Sequence, residues 1–212
     1  KARRAGRRCS TAQPLRRTNG LPYGEFPVPT RTGYDFLGWY TSESNGQLVS
    51  PTDTVELTKT LTLYAIWEPK ELTIIFMPNS GNLDKATKTV KYNELYGELP
   101  TPTLANYTFD GWFTTWSGST QKKESSRFLD VQTHYLYAHW TPNTYIVKFD
   151  SNGGTTLSTT RSIAYDSEYG TLPIPKRSGY TFLGWFTDIN AGREITAKTP
   201  LTIGKDHTLY AH

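Results

Sequence analysis

One aromatic octapeptide occurs three times in this chain of 212 residues. It reads GYDFLGWY from position 33, NYTFDGWF from position 106 and GYTFLGWF from position 179, so the repeat period is 73 in sequence numbering (106 − 33 and 179 − 106). Two other signatures keep the same step: YGEFP, YGELP and YGTLP start at positions 23, 96 and 169, and LYAIW, LYAHW and LYAH at 63, 136 and 209. A fixed period without insertions identifies an internal repeat, and this constrains the fold more than any other feature.

The period divides the chain into a tail and three repeats. Residues 1–19 form the tail, and we assign 20–69 to repeat 1, 70–141 to repeat 2 and 142–212 to repeat 3. Repeat 2 contains every part of the pattern, whereas repeat 1 has Arg3 where repeat 2 has Phe76, and repeat 3 stops one residue before the expected tryptophan. We therefore interpret the chain as a fragment of a longer protein. A unit of one period suffices for one small domain but leaves little room for a deep active site.

The pattern within repeat 2 predicts strands. Apolar and polar residues alternate in LTIIFMP, TKTVKY, NYTFDGWFTT and HYLYAHW, as is typical of half-buried strands. NELYGELPTPT can hold at most one short helical turn, because Gly97, Pro100 and Pro102 interrupt it. The joints EPK at 68–70 and TPN at 141–143 contain proline and are expected to be stiff and extended. We therefore predict an α+β, mostly β fold in modules of one period each, arranged as beads on a string.

The first position of the octapeptide is occupied by Gly33, Asn106 and Gly179. Glycine adopts a positive φ at no steric cost, and asparagine is its commonest substitute there. A left-handed backbone corner directly before the third strand would explain all three residues. Asn106 also begins NYT, which matches the acceptor sequence for N-glycosylation in a secreting eukaryote.

We interpret the repeated aromatic side chains as the core of each unit, because aromatic residues at strand spacing usually pack inside. Trp116 differs, since the other copies have Glu43 and Ile189 there and the position lies in a loop of variable composition. Trp116 is therefore the candidate ligand contact. The predicted core residues are Trp39, Trp112, Trp185, Tyr64, Tyr137 and Tyr210.

The sequence gives little support to a metal or catalytic site. His134 and His139 recur as His207 and His212, but two side chains five residues apart on a strand face opposite sides. Cys9 is the only cysteine, so neither an internal disulfide nor a CxxC site can form. The chain contains no common catalytic or phosphate-binding motif, and it repeats aromatic residues, glycines and prolines rather than acids and bases. We predict a protein that is not an enzyme and uses no cofactor.

Charge is distributed unevenly along the chain. Seven of the 23 basic side chains lie in residues 1–20, which contain no acidic residue, and the other 16 are outnumbered by 19 acidic side chains. Nucleic-acid binding could therefore rest only on the tail, which is otherwise interpreted as a disordered flank. No apolar run is long enough to predict a transmembrane segment in this fragment.

The combined motifs resemble a known family. YGELPTPT, NYTFDGWFTT and HYLYAHW in repeat 2, with IVKFDSNGG in repeat 3, resemble the Listeria–Bacteroides repeat, also called the internalin B-repeat. The resemblance covers about residues 20–212, although FMPNSGN in repeat 2 departs from the family's FDxNGG turn. It implies a small fold similar to the ubiquitin-like β-grasp. It also implies tandem use in secreted or surface-anchored microbial proteins, as stalks and as contacts for host or matrix molecules.

We therefore expect the non-catalytic repeat region of an extracellular or cell-surface microbial protein. It would act as a spacer and as an adhesion or protein-binding module, with a host or matrix protein or a glycan as partner. Binding would use the loops Ser42–Ser50, Thr115–Ser126 and Asp188–Glu194. Two alternatives remain open: an intracellular nucleic-acid-associated protein that binds through residues 1–19, and a carbohydrate-binding module that uses Trp116.

Overall fold

A computed structural model describes residues 16–56, 60–156 and 158–212. Most of the basic tail, including Arg3 and Cys9, lies outside these residues. The described ranges contain strands and turns but no helix, so the mostly β character is confirmed. No helical segment within them has the length and apolar character that a membrane crossing requires. The strands are β1 Tyr34–Tyr40, β2 Tyr64–Pro69, β3 Glu71–Met77, β4 Thr87–Lys91, β5 Tyr107–Phe113, β6 Gln121–Lys122, β7 His134–Pro142, β8 Thr144–Asp150, β9 Thr160–Ala164, β10 Trp185–Phe186, β11 Glu194–Ile195 and β12 His207–Ala211.

The chain divides into two compact units. Among the described residues, unit 1 comprises those up to 71 together with 91–93 and 129–131, and unit 2 comprises those in 72–90, 94–128 and 132–212. In unit 1, β1 and β2 pair antiparallel, and Val49 and Val55 are its buried apolar residues in the described part. Unit 2 contains the two larger sheets.

The two sheets of unit 2 share one topology. The first has the strand order β4-β3-β7-β5-β6, and the second has β9-β8-β12-β10-β11. In each sheet the opening strand of the repeat pairs in parallel with its closing strand: β3 with β7, and β8 with β12. The third strand then pairs antiparallel with the closing strand on its other side. Each sheet is therefore mixed, with a parallel pair inside it.

Alternation along the strands directs side chains into one core for each sheet. In β7, Leu136 and Ala138 are buried, while Tyr135 beside them in the chain is exposed. One cluster of buried residues lies against the first sheet of unit 2 and includes Ile74, Phe76 and Trp112. A second cluster lies against the other sheet and includes Val147, Phe149 and Trp185. The largest buried side chains are aromatic, as the repeated aromatic pattern predicts.

The short helical turn that the sequence allowed in residues 93–103 does not form, and the described residues therefore do not show the α component of the expected α+β class. Gly97 has φ 62°, which is incompatible with a right-handed helix. The N–H groups of Tyr96 and Gly97 donate to the carbonyl oxygens of Ser126 and Glu124, at 2.9 and 3.0 Å. These long-range bonds hold the segment against the loop before β7 and leave it unable to coil.

The left-handed corner before the third strand is confirmed in all three copies. Gly33, Asn106 and Gly179 have φ values of 77°, 66° and 79°. The corner turns the chain into β1 at Tyr34 and into β5 at Tyr107. The positive φ shared by the three copies explains why glycine or asparagine stands at the start of each octapeptide.

A second special glycine precedes each tryptophan. Gly38, Gly111 and Gly184 have φ values of 137°, 133° and 155°. In β1 and β5 the pairing register shifts at this position, which marks a β-bulge. A side chain on Gly111 would also collide with the amide of Gln121. The backbone conformation therefore favours glycine at this position, and any larger residue at 111 would also have to displace the Gln121 side chain.

Candidate binding loops

The tryptophan of each octapeptide is fixed by one hydrogen bond that recurs in every repeat. Its indole N–H donates to the carbonyl oxygen of a proline 12 residues earlier, from Trp39 to Pro27, Trp112 to Pro100 and Trp185 to Pro173, at 2.9, 2.7 and 2.8 Å. A buried indole N–H needs such an acceptor. The bond ties the start of the proline-containing segment to the third strand, from which the candidate loop extends.

The predicted core residues occupy two different environments. Trp112 and Trp185 are each 1% exposed, and Trp39 is half-buried. Tyr64, Tyr137 and Tyr210 are half-buried as well. In the closing strands β7 and β12 the fully buried position is the preceding leucine, at 136 and 209. The tyrosines lie on the opposite face of the strand, because adjacent side chains in a strand alternate between faces. Tyr137 and Tyr210 therefore lie outside the two buried clusters of unit 2.

The loop after the third strand begins with a threonine in every repeat. Thr41, Thr114 and Thr187 each donate a backbone N–H to the carbonyl oxygen six residues later, at 3.0, 3.1 and 3.1 Å. In two of the loops the threonine hydroxyl closes the ring from the other side: it accepts the N–H of Gln47 at 3.0 Å and that of Arg193 at 3.0 Å. We call these paired positions, 41/47, 114/120 and 187/193, the loop neck.

The five residues inside each neck, which we call the loop tip, share no position that is the same in all three copies. They read SESNG at 42–46, TWSGS at 115–119 and DINAG at 188–192. Trp116 is 74% exposed and Ile189 is 46% exposed. In the third tip the carboxylate of Asp188 accepts the N–H groups of Asn190 and Ala191 at 2.9 and 3.3 Å, which fixes the turn without help from the core. A constant neck thus carries tips of different chemistry.

Two histidines anchor the loop tips of repeats 2 and 3. His139 stacks on Phe113 with ring centroids 3.9 Å apart and donates through Nε2 to the carbonyl oxygen of Thr115 at 3.0 Å. His212 repeats the arrangement with Phe186 at 4.1 Å and the carbonyl oxygen of Asp188 at 2.9 Å. Their recurrence in the sequence therefore reflects a structural role at the first residue of each tip.

The other repeated histidine lies beside a buried tyrosine. In repeat 3, Nδ1 of His207 donates to the carbonyl oxygen of Lys205 at 3.0 Å, and Nε2 accepts the hydroxyl of Tyr169 at 2.7 Å. Burial raises the pKa of Tyr169 above its ordinary value, while the charge of Arg193 acts in the opposite direction. Across the described residues, no group of three or more His, Cys, Asp or Glu side chains could hold a metal ion.

Asn106, the residue of the NYT sequence, is occupied by contacts within unit 2. Its Oδ1 atom accepts the hydroxyl of Tyr145 at 3.0 Å, and the backbone of Gly204 passes close to the same amide. Its carbonyl oxygen accepts the N–H of Asn143 at 2.8 Å. The side chain therefore has a packing role next to repeat 3.

Sequence reasoning found the variable loops and the exposed tryptophan but missed the threonine of the neck and the proline that accepts the indole N–H. Both were visible as repeated residues: the threonine follows the octapeptide by one position, at 41, 114 and 187, and the proline keeps a constant spacing from the tryptophan. The anchoring histidines were noticed but had no assigned contact, since the stacking depends on which strands pair.

Comparison with known proteins places these features in a family. The Listeria–Bacteroides repeat domain matches three tandem stretches, residues 10–66, 73–139 and 145–212. Internalin H of Listeria monocytogenes is 33% identical over 123 residues, which cover 58% of this chain and 22% of that protein. A protein of Evansella cellulosilytica, named "Putative Gly-rich membrane protein", is 34% identical over 175 residues, which cover 75% of this chain and 20% of that protein.

The chain thus spans about a fifth of the length of these relatives. The family match covers most of the chain and recurs in step with the octapeptide, the loop neck and the indole hydrogen bond. The chain belongs to the Listeria–Bacteroides repeat domain family.

Proposed function

We propose that this chain is the non-catalytic repeat region of a microbial cell-surface or secreted protein, where it serves as a spacer and as an adhesion or protein-binding surface. Family membership supports the surface location, because the relatives include an internalin and a protein named for a membrane. The partner we propose is a host or matrix protein or glycan.

One observation carries the proposal: a constant loop neck presents three tips of different sequence. The threonine bonds keep the neck the same in every repeat, while the tips change from SESNG to TWSGS to DINAG. Loops that vary on a constant scaffold are where proteins usually place binding residues. A repeated active site would instead keep the same reactive side chains in each copy.

We further propose a β-grasp-like module for each complete repeat. The mixed sheet with its parallel pair of opening and closing strands supports this assignment in both halves of unit 2. We retain 20–69, 70–141 and 142–212 as the proposed module boundaries. Lys70 and Asn143 are one period apart (143 − 70 = 73), and each directly follows a strand that ends in a proline.

A second candidate function is glycan binding through Trp116, and its 74% exposure favours this candidate. An indole that stands out of a loop can stack on the apolar face of a sugar ring. Trp116→Ala should abolish retention on a glycan array without changing the melting temperature. Ile189→Ala, at the equivalent tip position of repeat 3, is the matched control and should leave retention unchanged.

Protease shaving of intact source cells tests the surface location. An antibody against residues 70–212 would report whether the modules are removed while a cytosolic marker is preserved. Loss of the epitope is the expected result. Full protection of the epitope would contradict the proposal and would direct attention to the basic residues 1–19 as a nucleic-acid-binding segment.

A further inference from the structure

Asn143 joins repeats 2 and 3, and it is hydrogen-bonded on both sides. Its N–H donates to the carbonyl oxygen of Asn106 in repeat 2 at 2.8 Å, and its own carbonyl oxygen accepts the N–H of Tyr165 in repeat 3 at 2.8 Å. Its side-chain Oδ1 accepts the hydroxyl of Thr108 at 2.7 Å. A flexible linker would leave these groups to water, so this residue belongs to an ordered contact.

Side chains from both repeats complete the contact. The ring of Tyr107 meets that of Tyr165 edge to face at a centroid distance of 5.8 Å, and its hydroxyl donates to the carboxylate of Asp166 at 2.6 Å. The hydroxyl of Tyr145 reaches back to Asn106 at 3.0 Å. We call this set of residues, 106–108 with 143, 145, 165 and 166, the joint.

The same contacts occur one period earlier, inside unit 1. The N–H of Lys70 donates to the carbonyl oxygen of Gly33 at 2.9 Å, and the N–H of Tyr92 donates to the carbonyl oxygen of Lys70 at 2.8 Å. Tyr34 meets Tyr92 edge to face at 5.5 Å. Two copies with different neighbouring sequences therefore converge on one arrangement.

One pair of side chains changes its chemistry between the copies but keeps its geometry. Where Thr108 bonds Asn143, the equivalent residues Asp35 and Lys70 form an ion pair with Nζ and Oδ1 3.5 Å apart. The ion pair is largely exposed, so it contributes little stability. The two pairs are nevertheless each complementary. Thr108 and Asn143 form a neutral hydrogen-bonded pair, whereas Asp35 and Lys70 form a pair of opposite charges.

The corner and the tyrosine that follows it, which repeat 2 contributes to the joint, have the same form in repeat 3, where the tyrosine is exposed. In repeat 3, Gly179 has φ 79° and Tyr180 follows it, 67% exposed, with the guanidinium of Arg177 4.1 Å above the ring centroid. In unit 1, Arg31 lies over Tyr34 in the same way at 3.8 Å. The corner and its tyrosine are thus set by their own repeat before they meet a partner.

We propose that the joint is a specific interface that fixes the orientation of repeat 3 on repeat 2. The corner and tyrosine of one repeat bind the opening hairpin of another repeat of the same type. The corner and the following tyrosine form one face, and residues equivalent to 143, 165 and 166 form the other. The pair at positions 108 and 143 selects which repeat fits. This inference deepens the proposed spacer function, since a stalk must resist bending at its joints.

Pulsed electron spin resonance on the full chain tests the orientation. Spin labels at Thr89 and Ser162, which are equivalent exposed positions in β4 and β9, report the distance between repeats 2 and 3, with Cys9→Ser to remove the native thiol. We expect one narrow distance distribution. Tyr107→Ala should broaden it roughly two-fold, as for a linker that passes from stiff to flexible.

Tyr180→Ala is the matched control, because it removes the equivalent ring of repeat 3 where that ring is 67% exposed, and it should leave the width unchanged. Asp166→Gly should also broaden the distribution. It removes the carboxylate but tolerates the φ of 61° at this position, so it provides a milder variant if Tyr107→Ala impairs folding. A broad distribution in the unmodified chain, or equal widths in all variants, would overturn the proposal. Neither result would affect the surface location, which protease shaving tests separately.

Substitution of Thr108 and Asn143 by charged residues tests whether this pair selects the neighbouring repeat. Thr108→Asp with Asn143→Lys reproduces the Asp35–Lys70 pair and should keep the distribution narrow at low salt. Thr108→Lys with Asn143→Lys places like charges together and should broaden it, with partial recovery at high salt as the repulsion is screened. Equal widths for these two double variants would show that the pair does not select the neighbour.

Discussion

At the scale of single residues, the octapeptide recurs because each of its parts meets a separate physical requirement. Its first residue adopts a positive φ, its second glycine sits at a bulge, and its tryptophan fills the core while donating to a proline carbonyl. Phe109 and Phe76 pack against Trp112 at centroid distances of 5.4 and 4.8 Å. Backbone conformation and core packing therefore explain the motif, and it recurs because the repeat that contains it recurs.

Truncation of the buried tryptophan tests this role. Trp112→Ala should lower the free energy of unfolding by roughly 3–5 kcal/mol, because it removes a large buried side chain. Trp112→Phe retains most of the apolar contact but leaves the Pro100 carbonyl without its donor, at a cost of about 1–3 kcal/mol for that group. Denaturant titration measures both. Trp116→Ala is the exposed control, and an unchanged midpoint for Trp112→Ala would contradict the core assignment.

The phenol of Tyr107 gives the joint a pH dependence. The hydrogen bond to Asp166 is the main cause that raises the pKa of Tyr107 above 10.0, with smaller contributions from burial and from the charge of Asp166. A raised pKa in the folded state favours the neutral phenol. The contribution to stability is therefore complete below pH 10 and is lost as the pH rises through the folded value.

Titration of ring-labelled tyrosines by NMR can check this dependence, with Tyr107→Phe to assign the resonance. Asp166→Asn should lower the pKa of Tyr107, because the carboxylate acceptor and its charge are both removed. A titration that is the same in Asp166→Asn and the unmodified chain would show that this bond is not formed in solution.

Residue roles were predictable from sequence only where the cause was local. The corner at Asn106 was predictable from backbone sterics, because glycine or asparagine at one position in every copy indicates a positive φ. The placement of Tyr137 depends on which face of β7 meets the core, and that is settled by pairing with strands far away in the chain. The acceptor of the Trp112 indole likewise depends on how the segment between Pro100 and Trp112 turns back.

At the scale of elements, the hairpin after the third strand separates a constant neck from a variable tip. The strands β5 and β6 pair through Trp112 and Lys122, and the neck begins at Thr114, two residues after the buried tryptophan. The same backbone bond closes the neck in each repeat although the tip sequences differ. The variable loops were predictable as regions of differing composition, but their closed neck was not, since its bonds join backbone groups six residues apart.

Loss of the neck bond should loosen the loop while leaving the sheet intact. Thr187→Val removes the acceptor of the Arg193 N–H and should reduce stability by about 1 kcal/mol. Amide hydrogen exchange at Arg193 should accelerate. Ile189→Ser in the tip is the control and should change stability by no more than about 0.5 kcal/mol. Equal exchange rates in Thr187→Val and the unmodified chain would show that the hydroxyl does not close the neck.

The bulge glycine can be tested in the corresponding hairpin of repeat 2. Gly111→Ala forces a side chain into φ 133° and against Gln121, and should cost about 1–3 kcal/mol. Ser119→Ala, at an exposed tip position, should be neutral in the same thermal melts. A Gly111→Ala protein as stable as the unmodified chain would show that the bulge can relax to an ordinary strand.

At the scale of the whole molecule, the repeat period was the feature most easily read from the sequence, and strand pairing was the hardest to predict from it. Repetition identified the family directly from the sequence. The parallel pairing of β3 with β7 joins residues about 60 positions apart, which no local pattern specifies. The short helical turn that the sequence allowed in residues 93–103 does not form, because the N–H groups of Tyr96 and Gly97 bond to carbonyl oxygens more than 25 residues away.

Replacement of the three loop tips tests whether a constant frame carries a variable binding surface. Tips 42–46, 115–119 and 188–192 would each become a Gly/Ser sequence, and binding would be measured on a panel of immobilised matrix proteins and glycans alongside thermal unfolding. We expect an unchanged melting temperature and loss of the binding shown by the unmodified chain. Binding that survives replacement of all three tips, or a frame that unfolds without them, would contradict it.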